Sequence, residues 1–380
     1  MTRWREIDAL RGLMLVMMTI THLPTRFSSL LGQPLGFVSA AEGFVFLSAF
    51  MAAYIFSRRA AKDGIDAMLK AFLRRVIKLY ACHVAMLAYL FTIIAAIGIT
   101  TDRQTIKNLI SFYLQDPLTA LGSSLLLIYN PPLLDILPLY VVFMVVSPWL
   151  LVVGLRLSWT PVMMASIIIW LLAQFGLEKE IYQGVRSLVG LKVPFHDTGA
   201  FDIFAWQLVW MVGLWLGVQT AAESTLKMPN SIVYAAIAIT VVGFCMRHIL
   251  GQAVFDDNQT TPMLLSKWHL GPLRFLNFLA LLVVILRFGP ALKGAIRWRP
   301  LELLGAASLP VFCVHLAAVL LALALVGDKK GATSLAAELA LLAATLFIMY
   351  AAAWFFRSPS ARNTADTQES KTVVSARAAR

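Results

Sequence analysis

Charge is scarce in this chain. Only 14% of its 380 residues are Asp, Glu, Lys or Arg, against roughly a quarter in soluble domains, and that shortfall argues against an ordinary water-facing surface. Cysteine is scarcer still: Cys82, Cys245 and Cys313 are the whole complement, each in an apolar run and far from the others. Such spacing supports neither a disulfide framework nor a zinc site, and no other metal-ligand spacing is present. Acidic residues number 20 against 32 Lys plus Arg, leaving a net charge of +12. There is no internal repeat and no compositional break to mark a second domain. No small-residue cleavage site follows the first apolar run, so that run is expected to be retained as a helix. What fills the sequence is apolar: 59% of residues are hydrophobic and the mean hydropathy is +0.77. This composition predicts an all-α, polytopic membrane bundle. The basic excess then belongs to loops facing an anionic leaflet, not to a nucleic-acid partner.

Ten stretches are long enough to be read as spans, near 9–23, 36–57, 75–98, 136–154, 159–176, 203–220, 231–250, 273–289, 302–326 and 334–356. The first is short and must use its flanks. A further apolar run, 118–129, ends at Tyr129-Asn130-Pro131-Pro132 and reads as interfacial or re-entrant. With the N-terminus inside, Arg58, Arg59, Arg74, Arg75, Lys78, Arg156, Arg287, Arg297 and Arg299 fall on cytoplasmic segments. Asp102, Asp116, Glu178, Glu180, Asp197 and Asp328 fall on the opposite side. That is the positive-inside bias, and an even number of spans puts both termini in the cytoplasm. The membrane domain is expected over 1–356. Residues 357–380 are polar, basic and without apolar period, as expected for a disordered tail.

The first helix holds the densest chemical signal. Glu6-Ile7-Asp8-Ala9-Leu10-Arg11-Gly12 opens it, and His22 follows Arg11 by 11 positions. Eleven residues are close to three helical turns, so the two side chains share a face roughly 16 Å apart along the axis. Ionisable groups at membrane depth are costly and need partners or a task. Asp8 and Arg11 can form a local i, i+3 ion pair, or Arg11 can hold an anionic group. Arg74, Arg75 and Lys78 suit phosphate recognition, and equally suit topology signalling with lipid headgroup contact. His22, followed by Pro24 at the end of the helix, has the chemistry of a general base. Glu42 lies two turns into the next helix at matching depth. It is a candidate to bond the other ring nitrogen of His22, or to bond Ser39 or Ser48.

On the outer half lie Asp135, Asp202, Gln207, Arg274 and His315, whose convergence from several helices suggests a polar cavity for a substrate. Asp135 and Asp202 also complement helix dipoles. Trp206, Trp210 and Trp268 offer flat faces for sugar or form the ordinary interfacial belt. Arg274, after Gly271-Pro272, gains nothing from the helix dipole, so it pairs with an acid or holds an anionic acyl group. Gly213 and Gly217 signal helix packing.

Glu6–Arg11, Thr21-His22-Leu23-Pro24, the block from Phe37 to Ser48, Phe204-Ala205-Trp206-Gln207 and Gly271-Pro272-Leu273-Arg274 together resemble the OpgC family, over residues 5–350 or so. That family is similar to the wider acyltransferase-3 superfamily. The resemblance implies ten core helices, an acyl-CoA donor and succinylation of osmoregulated periplasmic glucans at the bacterial inner membrane. The superfamily pattern of an arginine, ten residues and an essential histidine matches Arg11 and His22. Its Arg-x-x-Arg pattern on the third helix becomes Arg75-Val76-Ile77-Lys78, in which lysine keeps the charge but loses the bidentate fork.

These readings combine into one expectation. Acyl-CoA docks at Arg11, Arg74, Arg75 and Lys78, no cofactor is bound permanently, and His22 with Glu42 promotes transfer to a periplasmic glucan hydroxyl. Asp135, Asp202, Gln207, Arg274 and His315 contact substrate. Transfer can be direct or pass through an acyl-histidine. Membrane lipids and glucan-synthesis proteins are the other expected partners. Two rivals stand beside it: a glycan or acyl-group transporter that makes no bond, against which no inverted repeat is found, and a non-catalytic scaffold, for which His22 is replaceable.

Overall fold

The computed structural model describes residues 4–29, 31–224, 228–250, 260–291, 294, 297–328 and 334–356. Among them no strand occurs, and a single isolated bridge joins Leu35 to Val38. The tail over 357–380 lies outside the described residues.

The chain opens with α1 (Arg5–His22), then α2 (Ala40–Asp63) and the long α3 (Ile65–Thr100), which carries one π turn at Leu90–Ile94. Three short helices follow: α4 (Gln104–Leu109), α5 (Ser111–Gln115) and α6 (Pro117–Leu125). Next come α7 (Ile136–Arg156), α8 (Trp159–Ala173), α9 (Leu177–Val189), α10 (Ile203–Ala221) and α11 (Asn230–Ile249). The described chain closes with α12 (Thr260–Leu265), α13 (Pro272–Phe288), α14 (Arg299–Ala306), α15 (Ser308–Val326) and α16 (Leu335–Phe355).

The fold is all-α and polytopic. Among the described residues seven helices, α2, α3, α7, α10, α11, α15 and α16, are long and apolar enough to cross a membrane, or eight if the bent pair α8 and α9 is one span. Ten were expected, and the shortfall has physical causes. Helix α1 carries Arg5, Glu6, Asp8 and Arg11 within its first two turns. Helix α13 has 17 residues, about 26 Å against the ~30 Å of a hydrocarbon core. The expected segment 159–176 holds only the 15 residues of α8 before the chain bends into α9, while 302–326 breaks at Ala307 and keeps its crossing part as α15. Helix α6 has nine residues, too few to cross, in keeping with an interfacial or re-entrant run.

Local chemistry sets the helix starts. Ser39 and Glu42 form a capping box at the head of α2, Asp202 caps α10, and Ser158 and Ser334 cap α8 and α16. Helices α8 and α9 meet at 79° across Gly176, whose φ of +84° lies in the left-handed region. Helix α9 has no buried residue and turns Ile181, Val185 and Leu188 outward, the pattern of a helix lying at an interface.

The centre is α2 against α10. A Cβ at Gly213 would lie 2.7 Å from the Phe46 carbonyl oxygen, and one at Gly217 2.4 Å from that of Phe50. These two helices therefore run parallel and backbone to backbone, as the small-residue spacing predicts. Helices α11 and α16 bury only 17% of their apolar windows and leave the rest to lipid. The bundle end at which α1 begins is the near end below; the end at His22 is the far end.

Candidate active site

A polar seam runs inside the bundle beside α1. Arg11 donates from Nη2 to Ser308 Oγ at the head of α15, while its Nε is buried without a partner. Beside it lies a cavity of about 210 Å³ whose wall includes Arg11, Arg75, Ser48, Tyr140, Phe44 and Phe312. Tyr140 donates to Ser48 Oγ at 3.4 Å. Arg75 reaches this cavity from α3, but Arg74 and Lys78 are exposed on the outer side of the same helix. The three basic residues expected to act together are thus divided: one lines the chamber, and two face away.

Beyond this chamber, toward the far end, His22 and His315 stack with ring centroids 5.9 Å apart and planes 17° from parallel. Their nearest link to the cavity is Phe312, which stacks on Phe44 at 5.6 Å and meets the His315 ring edge-on at 5.0 Å. One aromatic residue therefore separates chamber from histidines. His315 Nδ1 lies 2.7 Å from the Phe312 carbonyl oxygen. A carbonyl only accepts, so Nδ1 carries the proton and Nε2 keeps a basic lone pair. That Nε2 is buried without a partner, as is Nδ1 of His22.

The expected His22–Glu42 contact is not formed. Glu42 is fully buried and gives one oxygen to Nε of Arg274 and the other to the backbone and hydroxyl of Ser39. The cause is the capping box, which turns the carboxylate toward the start of α2, where α13 presents Arg274. A buried charge needs an opposite charge, and removing one member of such a pair costs roughly 3–5 kcal/mol. Arg274 is 1% exposed, and its Nη2 is left with no acceptor.

Lys267, in the turn before α13, is close enough to His22, Glu42, Arg274 and Asp135 to interact with their charges. Its ammonium lies over Trp268 at 4.7 Å and Phe201 at 5.9 Å and has no ion-pair or hydrogen-bond acceptor among the described residues. Burial lowers its pKa from the ordinary lysine value; Glu42 opposes that and Arg274 adds to it. The turn is held by Trp206, whose indole N–H donates to the carbonyls of Lys267 and Trp268.

The remaining expected residues separate by environment. Asp135 is buried at the mouth of α7, accepts from the Ala200 amide at 3.0 Å, and is pushed up to about 6 by burial. It lines a second cavity of about 280 Å³ at the far end with Asn130, Glu178, Tyr182, Phe195 and Phe201. Asp202 caps α10 and bonds His269 Nδ1 at 3.3 Å, which raises the histidine. Gln207 spends its amide on Ser166 and the Phe204 carbonyl, tying α10 to α8. It is not brought to the histidines.

Sequence reasoning passed over Lys267, Tyr140, Ser308 and the Phe44–Phe312 stack. Lys267 had a signal: it is a cation beside a tryptophan on the side where acids otherwise gather. The phenylalanines had none, since an apolar ring in a span looks like any other.

A chain with this all-helical bundle and polar seam is a multi-pass membrane protein. A family model described as OpgC protein matches residues 3–360, nearly the whole chain, and the protein belongs to the OpgC family. Membership makes it an acyltransferase-type enzyme. No curated protein and no solved structure matches the chain.

Proposed function

We propose that the protein takes an acyl group, succinyl by preference, from acyl-CoA at the near end and passes it to a hydroxyl of a periplasmic glucan at the far end of an inner-membrane bundle. The observation that carries this reading is the His22–His315 stack, with the tautomer of His315 fixed, set one aromatic residue from a chamber holding Arg11 and Arg75. Arg11 and Arg75 suit the anionic part of the donor, and Arg74 and Lys78 extend positive charge along the outside of α3 for its phosphates. The thioester reaches the histidines as the Phe312 ring turns aside.

The acceptor hydroxyl oxygen attacks the thioester carbonyl carbon while its proton passes to an imidazole nitrogen. The carbon–sulfur bond then breaks, and the thiolate takes that proton as free coenzyme A leaves. His22 is the base in this reading, and His315, whose ring stacks on it, fixes the plane of its imidazole. The glucan rests at the far-end cavity, where Tyr182, Phe195 and Phe201 offer ring faces and Asp135 and Asn130 offer hydrogen-bonding groups.

The test is transfer of radiolabel from succinyl-CoA and acetyl-CoA to a periplasmic glucan by the purified protein in liposomes. Loss of a general base costs roughly 10²–10⁴-fold, so His22→Ala is expected to fall by that order and His315→Ala by less. Labelling by His22→Ala at the wild-type rate removes the base role. No transfer by the wild type from either donor turns the reading toward transport.

A further inference from the structure

Three residues on one face of α15 lead from the near-end chamber to the histidines. Ser308, Phe312 and His315 recur at i, i+4 and i+7, the spacing that aligns side chains along a helix. Ser308 and Phe312 line the chamber, Phe312 meets His315 edge-on, and His315 stacks on His22. On α2 the order runs in reverse: Phe44 stacks on Phe312, and Ser48, one turn on, lines the chamber. The chamber beside the ring stack thus carries a serine hydroxyl on each of two helices.

Ser308 is 5% exposed, and its oxygen already accepts from Nη2 of Arg11. A guanidinium only donates, so the serine cannot spend its own proton there. That proton has no acceptor among the described residues, although the side chain borders the chamber. Ser48 repeats the pattern, accepting from Tyr140. A buried O–H that is held through its oxygen and still has its proton to give calls for a carbonyl or similar acceptor. The chamber, about 210 Å³, is smaller than the ~300 Å³ at which pockets for drug-sized ligands begin. Met51, Ile55, Leu79 and Met144 make much of its wall apolar. Such a space takes a slender, mostly apolar chain that carries an occasional carbonyl, and not a nucleotide.

We propose that the Ser308 hydroxyl donates to the outer amide carbonyl of the donor's pantetheine arm and so sets how far the thioester is threaded toward His22 and His315. This rests on the acyl-transfer reading above and adds the residue that gauges the arm. Two lengths agree. From Ser308 to His315 is seven residues, a rise of roughly 10–11 Å. In a pantetheine thioester the outer amide carbonyl lies about nine bonds from the thioester carbonyl, roughly 10–11 Å when extended. The inner amide, about five bonds away, reaches only roughly 6 Å. Arg11 acts through the serine, holding its oxygen so that the proton is left for the arm.

The experiment compares wild type with Ser308→Ala in the liposome assay, using succinyl and acetyl thioesters of two carriers, pantetheine and N-acetylcysteamine. The second carrier keeps the inner amide and lacks the outer one. A hydrogen bond of this kind is worth roughly threefold to tenfold. The ratio of rates, longer carrier over shorter, is expected to drop by about that factor in Ser308→Ala. An unchanged ratio, whether both rates fall together or neither moves, overturns the proposal. Transfer from neither carrier by the wild type fails the acyl-transfer reading itself. In that case, or where only the longer carrier is used, thermal stabilisation by pantetheine decides the contact. Stabilisation of the wild type that weakens in Ser308→Ala supports it; equal stabilisation of both proteins, or of neither, rejects it.

Discussion

Asp135 and His269 both flank the far-end site, and both hold protons more tightly in the folded chain than ordinary carboxylates and imidazoles do. Burial moves Asp135 from 3.8 to about 6. Between those values the folded state binds more protons than the unfolded chain, so stability falls as pH rises from about 4 through 6. The shift corresponds to about 3 kcal/mol at most. His269, raised by Asp202, acts in the same direction: its contribution is complete below the ordinary histidine value and is lost as pH climbs through its raised one. Asp135→Asn keeps an acceptor for the Ala200 amide and removes the titration. Thermal unfolding in detergent from pH 4 to 8 is expected to show a wild-type decline whose acid half flattens in this variant. Parallel curves over pH 4 to 6.5 contradict the assignment. At this scale the sequence reveals residues better than partners. Arg11 and His22 are visible together because one helix carries both. The partner of Glu42 is hidden because Arg274 lies 232 positions away, and no helical period reports such a contact.

Helices were legible where composition alone decides them, and less so where geometry intervenes. The long apolar runs at α2, α3, α7, α10, α11, α15 and α16 all appear as helices able to cross. The run at 159–176 does not continue straight, because Gly176 adopts positive φ and sends α9 off at 79°. A hydropathy reading measures length of apolar chain and is blind to such a bend. The Gly213 and Gly217 spacing was readable as packing, and the structure supplies its partner in α2. A Leu at 217 would need space now held by the Phe50 carbonyl and the Ala53 side chain. Gly217→Leu is therefore expected to force α10 away from α2 and destabilise the bundle by about 1–3 kcal/mol or more. Gly184→Leu, on α9 with open space around it, is expected to change little. Unfolding midpoints of the two variants side by side make the comparison, and equal midpoints count against the close crossing.

The whole molecule places two chambers in one bundle: the near-end cavity with its arginines, and the far-end cavity with its carboxylates and aromatic faces. The Phe44–Phe312 stack lines the near-end cavity and meets the stacked histidines through His315. A membrane that stores energy as an electrochemical gradient tolerates no continuous water file through such a seam, since arginines and imidazoles joined by water would form a conduit for protons. In the proposed acyl transfer, Phe312, which lines the near-end cavity and meets His315 edge-on, serves as the insulator as well as the door for the acyl arm. Its removal has an electrical signature separate from chemistry. Vesicles carrying Phe312→Gly are expected to dissipate an imposed pH gradient faster than vesicles carrying the wild-type protein, read by a trapped pH dye. Equal decay would assign the insulation to other side chains. In the proposed reading, an enzyme that reaches through a charged membrane opens for its substrate without discharging the cell, and that duty falls on the stacked rings of Phe44 and Phe312.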